Sequence, residues 1–235
     1  MELQTPEQLQ AASNLAHWIE GIVFAAVALI AFLRARGRLK RQGTQYLWPS
    51  LIVMAGLFLP AYIVLQRGLD QVGVTWSFVV NDPQQREHFL MALFLVLAGT
   101  AEIASEANLV EGKIWRLITP AALLAIGAVL LVHTEYGTPP AIDESVAQHR
   151  YQGALVILVG VFKAAAVIWP RVKWLAYPWI ILLFITAVLL LTYREPYGAY
   201  RTRYERKMMR LDFSHSGTLM SLDAKWPIVE LTLGK

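Results

Sequence analysis

The 235-residue chain contains no cysteine. Disulfides, thiolate metal sites and cysteine nucleophiles are therefore excluded, and any metal must be held by histidine, carboxylate or methionine. Charge is also scarce: Asp, Glu, Lys and Arg make up 16% of the residues while 56% are hydrophobic, with mean hydropathy +0.45. Soluble domains are nearer about 45–50% apolar. The first sixteen residues, MELQTPEQLQAASNLA, have no basic n-region, so no secretory signal peptide is expected. There is no internal repeat, glycine-rich phosphate loop, G-x-S-x-G or H-E-x-x-H. Nothing in the sequence supports a hydrolase or a transferase, and whether the chain is an enzyme stays open. The net charge of +4 and pI near 9.4 do not argue for nucleic acid, because basic residues in so apolar a chain reflect orientation and lipid head groups.

What is abundant is long apolar runs. Six reach the roughly 20 residues that cross a hydrocarbon core of about 30 Å: residues 17–33, 46–65, 88–109, 114–133, 151–169 and 174–193. Unpaired backbone groups cannot face lipid, so each is expected to be helical. The predicted fold is all-α: an integral membrane bundle of about six transmembrane helices, residues 17–193. A short N-terminal segment, 1–16, precedes it, and an extramembrane C-terminal tail, 194–235, follows. Pro60 and Pro120 are candidate kinks in the second and fourth spans. Trp18, Trp48, Trp115, Trp169 and Trp174 fall at span ends, as an aromatic belt requires.

Loop charge sets the expected orientation. The first connection, RARGRLKRQ, carries five basic residues and no acid; the third adds Lys113 and Arg116, and the fifth adds Arg171 and Lys173. The opposite loops offer only Arg67, Arg86 and Arg150. The positive-inside rule then puts the odd loops in the cytoplasm of a bacterial inner membrane and both termini outside. The basic tail stretch RTRYERKMMR points the other way, but the short loops lie closest to the helix ends. Residues 66–87 are long enough to lie on the outer surface. In HTEYGTPPAIDESVAQHR the chain turns at Gly137, Pro139 and Pro140, and Asp143 is a candidate N-cap for a helix starting above the membrane. The tail end, GTLMSLDAKWPIVELTLG, alternates like a strand and is a candidate surface for other membrane or periplasmic subunits.

Under this topology His17 opens the first span, His88 opens the third, His133 closes the fourth and His149 precedes the fifth. All four lie at the outer face. Glu20 is one turn below His17 on the same side of its helix, and Glu135 follows His133 by two residues. Imidazoles and carboxylates at one depth can assemble a site in the mouth of a bundle. Nitrogen and oxygen ligands without thiolate suit Cu(II), Zn(II) or non-haem iron, with copper the first expectation outside the cytoplasm. Histidine is also tolerated at interfaces without a metal, and His215 in the tail reads as a surface residue.

Deeper, Glu102 stands fourteen residues after His88, and Lys163 fourteen after His149. At 1.5 Å per residue each lies about 21 Å below its histidine, and both helices run the same way. The pair is expected to share a depth in the inner leaflet as an interhelical ion pair, with Glu106 one turn lower as a second acid; a lone charge there is expensive. A proton path from Glu106 through Glu102 toward the histidines is the functional alternative. A third span ending near Ala101, with both acids in interfacial water, is the other. Met54 and Met91 read as packing residues, and Met208–Met209 are flanked by basic residues that disfavour a cation.

From Phe94 to Ala166 the stretches AGTAEIASE, LLVHTEYGTPP and QHRYQGALVILVGVFKA resemble membrane domains of bacterial copper-resistance proteins of the CopD type. The resemblance covers under a third of the chain. It implies copper handling, with His133, Glu135 and His149 at the matching positions, although that family's methionine-rich outer segments are missing here. Two other readings stand beside it. One is a haem b subunit of an electron-transfer chain, with His88 and His149 as axial ligands; against it, only Gly153 and Ala154 are small residues conveniently placed to make room. The other is an accessory subunit of a larger membrane complex, in which the histidines are incidental.

Overall fold

The computed structural model describes residues 5–67 and 72–200. Among them are seven α-helices and no strand: α1 Pro6–Ala35, α2 Leu47–Arg67, α3 Val72–Asn81, α4 Pro83–Glu106, α5 Lys113–Leu131, α6 Pro139–Ile168 and α7 Pro178–Thr192. All but α3 are long and apolar enough to cross a membrane. The chain is a polytopic membrane protein with an all-α helical bundle. The strand-like tail, His215 and Met208–Met209 lie outside the described residues.

Three helices start earlier than hydropathy indicates, because local capping chemistry sets their ends. Thr5 caps α1 in a reciprocal box with Gln8, and Pro6 occupies the first turn where its missing N–H costs nothing. Asp82 accepts from the Gln85 N–H at the start of α4, again ahead of a proline. α6 begins at Pro139 with Thr138 at the N-cap position, so Asp143 is not the cap but a residue within the helix. His17, His88 and His149 therefore do not sit at helix starts. They lie inside α1, α4 and α6, where a rigid backbone aims them. α4 continues through Glu102 to Glu106, so the third span does not end at Ala101. Pro60 and Pro120 are both accommodated inside continuous helices.

The six long helices pack in a closed ring in chain order: α1 on α2, α2 on α4, α4 on α5, α5 on α6, α6 on α7, and α7 back on α1. Alternate members run in opposite directions. α3 lies against α4 and α2. Small residues bring the walls together. A Cβ at Gly127 of α5 would stand 2.6 Å from Ile157 Cγ1 and 2.8 Å from the Gly153 carbonyl on α6. At Gly99 of α4 it would stand 2.6 Å from the Pro49 carbonyl. Outside, the ring presents Ile22, Leu29, Met54, Leu93 and Ile181 as exposed apolar side chains, the surface a lipid solvent allows. Inside, it leaves an axial cavity. Trp48 is a correction to the belt assignment: it is buried and faces inward, whereas Trp115, Trp169 and Trp174 are exposed.

Candidate metal centre

The four histidines come from four ring members and meet at one end of the axis. His88 and His133 have ring centroids 4.7 Å apart, His133 and His149 4.7 Å, and His149 and His17 6.1 Å. They form a chain of imidazoles in that order. Three carry the same orienting contact. Nδ1–H of His17 donates to the Ser13 carbonyl (2.8 Å), that of His88 to the Gln84 carbonyl (2.7 Å) and that of His149 to the Ser145 carbonyl (2.9 Å). Each carbonyl lies one turn back on the same helix and can only accept. The proton is thereby placed on Nδ1, and Nε2 keeps its lone pair, as a metal-binding imidazole needs.

His133 stands just past the end of α5 and is 6% exposed. Its Nδ1 is 2.7 Å from Glu87 Oε2, and its Nε2 is 3.6 Å from Glu135 Oε1. The Glu87 carboxylate is a close partner for Nδ1, but the Glu135 contact is too long for a hydrogen bond, so Nε2 is buried without a hydrogen-bond partner. Unsatisfied polar atoms at that depth are costly unless a ligand completes them. Glu135 Oε1 also lies 2.9 Å from His149 Nδ1, and Gln84 Nε2 donates to Glu135 Oε2 at 3.2 Å. Ligand atoms of His133, Glu135 and His149 all fall within 4.8 Å of one another. That spacing and donor set fit one cation bound by nitrogen and oxygen.

The other residues that the sequence singled out take different places. His88 and His17 flank the trio at either end of the imidazole chain. Glu20 lies one turn deeper than His17, in the wall of the axial cavity. Lys163 Nζ is 2.9 Å from Glu102 Oε1 at the far end of that cavity. It also sits 4.7 Å above each of the Trp48 and Trp179 rings. Glu106 does not join this pair. Its Oε2 accepts from Arg34 of α1 at 2.6 Å instead, so no acid ladder runs from Glu106 through Glu102. Met91 lines the cavity and Met54 faces outward.

Three contributors escaped the sequence reading. Glu87 orients His133 and also accepts from the backbone and hydroxyl of Thr134 (2.7 and 2.8 Å), clamping α4 to the end of α5. Its only sequence signal is adjacency to His88. Tyr193 stacks on His17 with centroids 3.9 Å apart. Glu195, 5% exposed, accepts from Ser13 (2.5 Å) and Tyr193 (3.1 Å), while its backbone N–H donates to Asn14 (2.7 Å). The chain after α7 thus folds back over the cluster. The strap continues to Gly198, whose carbonyl accepts from the Thr138 N–H at 3.2 Å. Burial pushes the Glu195 carboxyl above the usual carboxylate range; Glu135 adds to this, and the Ser13 and Tyr193 hydroxyls oppose it. The strap covers the cluster in part: His133 and His149 are buried, whereas His17 and His88 remain partly exposed.

No family model matches the chain, nor does any curated protein or solved structure.

Proposed function

We propose that this protein is a metal-binding membrane protein that holds one transition-metal ion, copper first, at its extracytoplasmic end and serves in metal homeostasis or delivery. One observation carries this reading: His133, Glu135 and His149 bring ligand atoms of buried side chains within 4.8 Å of one another, and His133 Nε2 there has no hydrogen-bond partner. The Nδ1 contacts of His17 and His88 support it, since they leave Nε2 of two further imidazoles beside the trio free of a proton. Copper is favoured over zinc and iron by the expected compartment and by the likeness of this stretch to copper-resistance membrane proteins. The side of the membrane rests on loop charge.

Purified full-length protein loaded with Cu(II) or Zn(II), passed over a desalting column and measured by elemental analysis, tests the proposal. One ion per chain in the wild type, lost in His133→Ala and His149→Ala and reduced in His88→Ala, is the expected pattern. Equal metal content in all four proteins would overturn it. The haem b alternative has one observation in its favour, that His88 and His149 line the same cavity. Gly153 gives it little room, because it is packed against the Gly127 carbonyl of α5. A Soret band in the purified protein decides between them.

A further inference from the structure

Below the imidazoles the bundle is hollow. The cavity has a volume of about 110 Å³, a narrow column with room for one chain, and every member of the ring contributes to its wall. His149 and Lys163 mark its two ends along α6; fourteen residues of helix separate them, about 21 Å. The shaft between is apolar, with Phe24, Ile52, Leu123, Ile126 and Val156 on its wall. The two hydroxyls that reach it are already engaged: Thr119 donates to the Ala98 carbonyl at 3.1 Å and Thr186 to the Leu182 carbonyl at 2.9 Å.

The two ends differ. At the Lys163 end the charge is matched by Glu102 and shielded by two indole faces, so nothing there calls for a ligand. At the histidine end, two polar side chains face the cavity with no hydrogen bond or ion pair. Glu20 is one turn below His17 on α1, and Gln152 is one turn below His149 on α6. A carboxyl and an amide left unpartnered in a membrane interior cost several kcal/mol, roughly, unless a ligand meets them. Together they offer an acceptor and a donor to one head group.

We infer that the axial cavity binds a single long-chain amphiphile. Its uncharged head, bearing a hydroxyl or carbonyl, is held between Glu20 and Gln152, and its hydrocarbon tail runs down the shaft to Trp48 and Trp179. A membrane acyl lipid and an isoprenoid quinone share this chemistry. The site stands on the cavity and its polar end, and does not depend on whether the cluster above holds a metal.

The floor supplies its own reporter, because bromine on a hydrocarbon chain quenches indole fluorescence only at close range. The full-length protein in detergent is titrated with a long-chain primary alcohol brominated at its terminal carbon, and separately with the same alcohol brominated beside the hydroxyl. Saturable quenching by the first and not the second is expected, and it disappears when Trp48 and Trp179 are both changed to Phe. Val156→Phe narrows the shaft midway, seven residues from each end on α6, and should abolish the quenching while retaining the metal content of the wild type. Gln152→Leu, which removes an unpartnered amide without adding bulk, should weaken binding at least tenfold and serves if Val156→Phe does not fold. Equal quenching by both probes, or quenching unchanged in Gln152→Leu and Val156→Phe, overturns the inference. Solvent extraction of the purified protein followed by mass spectrometry assigns the native occupant as acyl lipid or isoprenoid quinone; a chain that yields neither and shows no saturable quenching has no such site. Because metal content and quenching are read separately, failure of one leaves the other standing.

Discussion

Glu102 and Lys163 illustrate how much a single pairing can decide. Both side chains are nearly buried, at 8% and 12% exposure, in an apolar stretch where neither charge would survive alone. Removing one partner of a buried pair typically costs about 3–5 kcal/mol, whereas replacing both by apolar residues of like size is often neutral. Lys163→Met should therefore lower the unfolding midpoint in detergent sharply, and Glu102→Leu with Lys163→Met together should restore most of it. A double variant as unstable as the single one would show that the two charges do not act as a pair. Glu195 makes a different prediction. Its carboxyl titrates above the usual range when folded, so the folded state binds its proton more tightly than the unfolded chain does. This contribution to stability is full below about pH 4, the ordinary carboxylate range, and is lost as pH rises through the elevated folded value. Thermal unfolding followed across that range should show a downward slope for the wild type that is flatter in Glu195→Gln.

Among elements, α5 and α6 meet most intimately, and the contact rests on absent side chains. At Gly127 even a methyl group would press on Ile157 and on the Gly153 carbonyl, neither of which is a flexible chain end. Gly127→Ala should destabilise by about 1–3 kcal/mol through overpacking. It should also disturb the cluster, since His133 and His149 hang from these two helices. Gly112 provides the contrast: nothing lies within 4 Å of its Cβ position, and only its φ of +93° opposes a side chain. Gly112→Ala should cost about 1 kcal/mol and leave metal content unchanged. Melting curves and elemental analysis of the two variants separate a packing effect from a backbone one. The helix starts show the same dependence on local chemistry. Hydropathy sees where lipid-compatible residues begin, not where a cap closes the first turn, and so it placed three histidines at helix ends that are several residues to three turns inside.

For the whole molecule, the lack of cysteine makes orientation directly testable. Gln42 lies exposed in the connection between α1 and α2, and Ser77 is exposed on α3 at the histidine end. Single substitutions Gln42→Cys and Ser77→Cys would carry the chain's only thiols. With a membrane-impermeant maleimide added to intact cells, labelling of Ser77→Cys and not of Gln42→Cys is expected from the loop charges. The reverse pattern would put the cluster on the cytoplasmic side and remove the compartment argument for copper.

Residue order alone was enough to determine that six helices form, which of them run in the same direction, and that His17, His88, His133 and His149 share an end. Hydropathy, span length and alternation carry that information, because the bilayer leaves the backbone little choice. The shared depth of Glu102 and Lys163 followed from helical rise in the same way. Only the tertiary structure decided which groups at one depth actually meet. Depth is a one-dimensional quantity set along the chain, whereas convergence depends on ring order and on the rotation of each helix about its axis. Those are settled by close contacts such as Gly127 on Gly153, which no periodicity reveals. Hence Glu106 turned to Arg34 rather than to Lys163, Trp48 turned inward, Glu87 reached His133, and the strap bearing Glu195 folded over the cluster. The histidine-lined face thereby became a partly covered cluster standing over a narrow apolar shaft.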